Sequence, residues 1–145
     1  MASKKHSQLR RKRARHVDFD RIAIEDGRYM PEALYFVQEA LDYKLRQVGE
    51  VRHLSGGELL DGIRELALEC FGLMARVVFE QWGVSRTEDF GEIVFLLIER
   101  EQLFRDEGDS KDDFKGVYDF RDALDNSYRV PGRFSARALV VGDSA

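Results

Sequence analysis

The sequence predicts an all-α, single-domain compact array of about five to six helices, and three observations carry that prediction. Between residues 18 and 125, apolar side chains recur at three- and four-residue spacing. Helix-start and helix-stop residues punctuate those runs where caps belong. No stretch alternates apolar and polar residues for long enough to be defended as a strand, and there is no tandem repeat. With 145 residues, 43% hydrophobic content and ten phenylalanines, the chain has the material for one globular core.

At the start of this region, "DFDRIAIED" places Phe19, Ile22 and Ala23 at helical spacing, although Ile22 and Ile24 also alternate; a short helix is the expectation. In "GRYMPEALYFVQEALDYKLRQVG", Pro31 suits a first helical turn and Leu34, Val37, Leu41, Leu45 and Val48 form a stripe. Gly49 then stands where a C-terminal cap belongs. "HLSGGELL" gathers a histidine, a serine, two glycines and a carboxylate, and reads first as a helix start. Ser55 as N-cap puts Glu58 at the third helical position, a reciprocal capping box, and Leu54 with Leu59 forms the hydrophobic staple. Leu59, Ile63, Leu66, Ala67, Cys70 and Phe71 continue one face, which predicts a buried Cys70 thiol.

"LMARVVFEQWG" reads as a further helix hinged at Gly72 and ended at Gly83, with Trp82 closing the core, a place at a binding surface being its alternative. "VSRTEDFGEIVFLLIEREQLF" starts another, capped by Ser85 or Thr87. Glu88 and Asp89 complement the dipole in its first turn, and its apolar "IVFLLI" centre predicts the central buried helix. "RDEGDSKDD" reads as an exposed acidic turn, with Ser110 and Asp113 marking one more capped start. "FKGVYDFRDAL" supplies Phe114, Val117, Tyr118 and Leu124 to a last short helix. The expected organisation is a basic disordered arm over residues 1–17, a helical domain over 18–125 and a loosely held tail over 126–145, basic at Arg129, Arg133 and Arg137.

Charge divides the chain sharply. Residues 1–16 hold seven Lys or Arg and no acid, giving +7, while the other 129 residues hold 16 basic and 27 acidic groups, giving −11. Lys4, Lys5, Arg10, Arg11, Lys12, Arg13 and Arg15 form a segment of the kind that neutralises phosphates. No aromatic residue is interleaved, so this arm lacks the means to stack on bases; RNA or a ribonucleoprotein is the expected contact, since disordered arginine-rich segments fold on RNA. A solubility tail, a targeting address and an anionic membrane contact are the alternatives, the last lacking apolar partners beyond Leu9. Ten acids against five bases in residues 99–125 give the arm an internal competitor for its contact.

Familiar chemistry is missing from the pattern. "HLSGGELL" fits neither the P-loop nor the Rossmann fingerprint, and no strand precedes it. A helix start with His53, Ser55, Gly56, Gly57 and Arg64 nearby remains a candidate anion or partner site. The histidines His6, His16 and His53 show no metal-ligand spacing, and "DEGDSKDDFKGV" fails as a calcium loop at Lys111 and Val117. One cysteine excludes an internal disulfide framework and a Cys-only zinc site, so a reducing, cytoplasmic setting is expected. No window has the roughly 18 apolar residues of a membrane span. No cofactor, metal or catalytic residue is predicted.

The linked blocks "RYMPEALYFVQEALDYKL", "HLSGGELLDGIRELALECFG", "WGVSRTEDFGEIVFLLIE" and "DDFKGVYDF" resemble an uncharacterised bacterial protein family largely restricted to planctomycetes and verrucomicrobia. The resemblance spans about residues 18–122 and leaves the basic arm outside. It implies a cytoplasmic bacterial protein, carries no established activity or catalytic residue, and argues against a transit-peptide role for the arm.

The leading expectation is a non-enzymatic helical protein whose acidic body binds a protein partner while its arm contacts RNA or a ribonucleoprotein. A DNA-binding regulator with a helix-turn-helix-like arrangement in residues 55–104 is the alternative, although its reading helix would open with Thr87, Glu88, Asp89 and Glu92. The third is an enzyme with an unfamiliar site around His53, Ser55, Glu58 and Arg64.

Overall fold

The computed structural model describes residues 18–126 and Tyr128; the assigned arm, residues 1–17, and all of the tail except Asn126 and Tyr128 lie outside the described residues. The described chain forms five α-helices and three short helical turns, with no strand among the described residues.

Helix α1, Phe19–Asp26, starts at Asp18, whose carboxylate accepts a hydrogen bond from the Asp20 N–H at 3.0 Å. It buries Phe19, Ile22 and Ala23 and leaves Ile24 in solvent, so the three-residue spacing governs and the Ile22/Ile24 alternation does not. Helix α2, Pro31–Val48, begins on its proline and ends at Gly49 with φ 84°, a left-handed cap. Leu34, Val37 and Leu41 are buried, whereas Leu45 and Val48 are only partly covered at the end of the stripe.

Helix α3, Gly56–Phe71, opens with the reciprocal capping box. The Glu58 N–H donates to Ser55 Oγ at 3.1 Å, and the Ser55 N–H donates to Glu58 Oε1 at 3.0 Å. Leu54 and Leu59 are both fully buried beside it. Phe36 meets Phe71 at one end of the α2–α3 pair, while Lys44 Nζ reaches Asp61 at 2.9 Å at the other, so the two helices run antiparallel. Cys70 departs from expectation: its thiol is exposed. The buried line on α3 runs through Leu60, Ile63 and Ala67 and then passes to the partly buried Phe71, whose ring meets Phe36 at a tilt and Trp82 edge-on, and Cys70 is turned outward.

Gly72, with φ 53°, breaks the helix as its sequence position predicts. A 3-10 turn, Gly72–Met74, leads into helix α4, Ala75–Gln81, and Gly83 ends the segment at φ 89°. From α4, Phe79 reaches the middle of the core, with ring centroids 5.6 Å from Phe36, 5.7 Å from Trp82, 5.1 Å from Phe90 and 5.6 Å from Phe120.

Helix α5, Thr87–Glu99, is the central buried helix that its composition predicts; Phe90, Ile93, Val94 and Leu97 are all solvent-inaccessible. Its cap differs from expectation. Arg86, not Ser85 or Thr87, occupies the N-cap position, and Asp89 does the capping by accepting from the N–H groups of Ser85 at 2.9 Å and Arg86 at 3.2 Å. Thr87 is turned inward, where its hydroxyl donates to the Phe114 carbonyl at 2.6 Å and accepts from the Val117 N–H at 3.2 Å.

The remaining segment closes over α3, α4 and α5. A 3-10 turn, Lys111–Phe114, is capped by Ser110 and Asp113 as predicted, and a π-helical turn spans Arg121–Asp125. Phe114, Phe120, Ala123 and Leu124 are buried here, but Val117 is exposed because the chain after Phe114 straightens at Lys115 instead of continuing a helix. Phe114 lies between two glycines. A Cβ on Gly56 would come within 3.1 Å of its ring, and a Cβ on Gly91 within 2.9 Å of its own Cβ. One glycine of "HLSGGELL" is therefore there to admit a neighbouring segment of the same chain.

Candidate functional site

The turn from α2 into α3 does form an open cleft of about 340 Å³, lined by His53, Ser55, Gly56, Gly57, Asp106, Gly108, Asp109 and Asp113. Four of the five residues of the candidate anion or partner site therefore come together. Arg64 does not join them. It lies farther along α3 against Asp61, at 3.4 Å.

The opposite wall comes from the acidic turn, and it changes the character of the site. Asp109 is buried, not exposed as "RDEGDSKDD" predicts. One of its carboxylate oxygens lies 3.3 Å from His53 Nε2, and the other accepts from the Asp106 N–H at 2.8 Å. The turn folds around that carboxylate, so burial follows from the bonds it accepts. His53 Nδ1 is buried and has no hydrogen-bond partner.

Three aspartates thus face the N-terminus of α3, which weighs against a phosphate or other anion in this cleft. The helix's own donors are in use as well, with Glu58 and Ser55 capping each other. Glu58 is further held by Arg52, whose two terminal nitrogens lie 3.2 and 2.7 Å from its oxygens. That guanidinium, together with the Ser55 N–H, lowers the Glu58 carboxyl to about 2. A carboxylate held so firmly ionised is a poor proton carrier near neutral pH. Ser55 has no base within hydrogen-bond reach other than its capping partner. The arrangement is that of a capped helix start locked to an acidic turn, and it assembles no nucleophile–base pair. Among the described residues, no group of three or more His, Cys, Asp or Glu side chains is arranged to hold a metal ion, and no helix is long and apolar enough to cross a membrane.

Cys70, the remaining nucleophile, takes no part in lining this cleft. Partial burial and the carboxylates of Glu69 and Glu39 push its thiol above the usual value, the opposite of an activated thiolate.

The helix-turn-helix alternative meets its obstacle in α5. Of its thirteen residues only Glu99, at the far end, is exposed. Its acidic opening is also committed, since Asp89 caps the helix and accepts from the Tyr29 hydroxyl at 2.8 Å, while Glu92 pairs with Arg28 at 2.8 Å and Lys111 at 3.0 Å. A recognition helix needs a face that can enter a groove, and the partly exposed face of α5 carries Glu88, Glu92 and Glu99, which phosphates would repel.

A second surface was not legible from sequence spacing. Ile24, Gly27, Met30, Pro31, Gln81 and Trp82 contribute to a shallow groove of about 380 Å³ where α1, the start of α2 and the end of α4 meet. Ile24 is 75% exposed and Met30 44%, beside a half-buried Trp82 whose ring lies at a tilt against Phe36, centroids 5.4 Å apart. An exposed isoleucine and methionine flanking a tryptophan have the composition of a protein-contact surface.

The seven basic residues of the candidate nucleic-acid contact, Lys4, Lys5, Arg10, Arg11, Lys12, Arg13 and Arg15, lie outside the described residues. The chain matches no protein-family model, no curated protein and no solved structure.

Proposed function

We propose that this protein is a non-enzymatic interaction module: a helical acidic body that engages a protein partner, and a basic N-terminal arm that contacts RNA or a ribonucleoprotein. Charge segregation is the observation that carries the reading. Residues 18–126 hold 13 basic and 26 acidic side chains, a net −13, against +7 in the arm. Of the body's basic residues, Arg28, Lys44, Arg52, Arg76, Arg100 and Lys111 are engaged with carboxylates of the same body. A phosphate chain meets repulsion from such a surface, so attraction has to come from the arm. The groove beside Trp82 supports the protein-partner half of the reading. A cytoplasmic setting belongs to the same proposal and fits an exposed, unpaired Cys70.

The acidic segment 99–125 stands as an internal competitor for the arm. Tighter RNA binding at fixed salt by a full chain with Gln in place of acidic residues of 99–125 would be its signature.

The test is fluorescence anisotropy of single-stranded RNA, structured RNA and duplex DNA with the full chain. A second full chain carries Gln at all seven arm positions. The proposal expects RNA binding by the first protein and its loss from the second, with helical content unchanged. Equal binding by both proteins, or sequence-selective duplex binding that survives the substitutions, rejects it.

A further inference from the structure

The turn between α1 and α2 is docked on the end of α4, and that docking builds the groove beside Trp82. The Met30 N–H donates to the Trp82 carbonyl at 3.1 Å. A Cβ on Gly83 would stand 2.9 Å from the Arg28 carbonyl oxygen, so glycine lets the two segments meet. The Tyr29 hydroxyl fastens the same turn to Asp89 at 2.8 Å. Behind the groove the Trp82 ring is held against Phe36, Phe71 and Phe79, with centroids 5.4, 5.8 and 5.7 Å away. A wall fixed in this way is preorganised, and a guest that seats apolar side chains on it has little of the host to order. Ile24 and Met30 stand on the rim and take no part in the buried core. One exposed apolar side chain needs no explanation. These two flank a single half-buried tryptophan, and a methionine adapts its shape to what it meets.

Size and charge decide the guest. Ten residues line the groove, against roughly 20–30 a side where two folded proteins meet, so it suits a short segment. The stretches that build it, residues 23–32 and 80–83, hold Glu25, Asp26, Glu32 and Glu80 against Arg28 alone, a net −3. Arg28 is held between Asp26 at 2.9 Å and Glu92 at 2.8 Å. The cations that reach the rim from outside are engaged as well, Arg21 and Arg100 with Glu25 and Arg76 with Glu80. Glu32, next to the lining Pro31, is exposed and enters no ion pair among the described residues. An acidic guest would find these cations already paired, whereas a basic one meets a free carboxylate. A second copy of the chain would set the same acidic rim against itself, because a two-fold interface pairs a patch with its own image.

We infer that this groove takes a short basic segment of a partner protein, its apolar side chains seated on Ile24, Met30 and Trp82 and its lysines or arginines facing Glu32. The inference rests on the reading of the body as a protein-binding module, and it supplies the place and the chemistry of that contact.

Trp82 is the chain's single tryptophan, so its emission reports on the groove. The probe is a synthetic amphipathic helical peptide of leucine and lysine, titrated into the full chain beside a counterpart with glutamate for lysine. Affinity is read from the anisotropy of labelled peptide, and Trp82 emission from unlabelled peptide. The lysine peptide should bind and move the emission to shorter wavelength, and the glutamate peptide should do neither. Ile24→Ser/Met30→Ser should weaken binding at least about tenfold. Val51→Ser/Val117→Ser, at exposed apolar positions outside the groove, should leave it unchanged. Equal binding by the parent and the Ile24→Ser/Met30→Ser protein overturns the inference while leaving the body a protein-binding surface. Equal binding of the two peptides overturns the basic chemistry of the guest. An emission maximum that moves on dilution before any peptide is added gives the groove to a second copy and overturns the inference too. No binding of either peptide strikes the protein-partner reading together with the groove.

Discussion

Replacing Gly91 by alanine is the sharpest probe of how this core closes. In an exposed helix interior the change would stabilise, by roughly 1 kcal/mol, because alanine loses less backbone entropy than glycine. On α5 the new methyl would stand 2.9 Å from Phe114 Cβ and 3.0 and 3.1 Å from two of its ring carbons. Phe114 Cβ is next to the backbone, so it cannot swing aside as the end of a long side chain would, and its turn is held by the Thr87 hydroxyl at the Phe114 carbonyl. Overpacking of this kind costs about 1–3 kcal/mol. Taking the upper part of that range against the propensity gain leaves a net loss of about 2 kcal/mol. Gly57→Ala is the control, since its added methyl would meet nothing nearer than Ser55 Oγ at 3.9 Å. It should be neutral or slightly stabilising. Urea unfolding followed by circular dichroism reads both. A Gly91→Ala protein as stable as its parent would refute the wedge.

Thr87→Val keeps the side-chain shape but strips the hydroxyl from the Phe114 carbonyl and the Val117 N–H; it should cost about 2 kcal/mol in urea unfolding, with Thr87→Ser retaining most of the stability. Glu58 supplies a pH dependence. Its carboxyl is lowered from 4.5 to about 2 in the folded chain, so its contribution is complete above about pH 4.5 and is lost as pH falls toward 2. About a third of the side chain is exposed, so screening holds the effect to about 1 kcal/mol. Glu58→Gln should flatten that limb of a stability–pH curve, and an unchanged curve would discount the Arg52–Glu58–Ser55 arrangement. The exposed Cys70 should react stoichiometrically with a thiol reagent in the native protein, more slowly than a free cysteine at the same pH; reaction only after denaturation would return it to the core.

What the sequence made legible was the local part. Pro31 at a helix start, Gly49 at a helix stop and the Ser55–Glu58 box each depend on residues within a turn of one another, and all three are found where the spacing puts them. The misses involve partners far along the chain or choices between adjacent residues. Thr87 is as good a cap as any in isolation, but a carbonyl 27 positions later takes its hydroxyl and Asp89 caps instead. Cys70 and Phe71 compete for one inward direction, and only the position of Phe36 and Trp82 decides for the phenylalanine. At the candidate site His53, Ser55, Gly56 and Gly57 do line one cleft. Its acidic wall was hidden because Asp109 reaches His53 only after the chain has passed through α3, α4 and α5. At Gly56 the missing side chain makes room for Asp113 and the Phe114 ring.

The central functional claim, that attraction to nucleic acid resides in seven arm cations and not in the body, is tested most directly by a salt series on single-stranded RNA. Full-chain affinity should fall with salt along a log–log slope no steeper than about −5, from seven cations at roughly 0.7 each. The chain with seven glutamines in the arm should show no measurable binding. A slope that survives those substitutions unchanged would place the contact on the body and contradict the account.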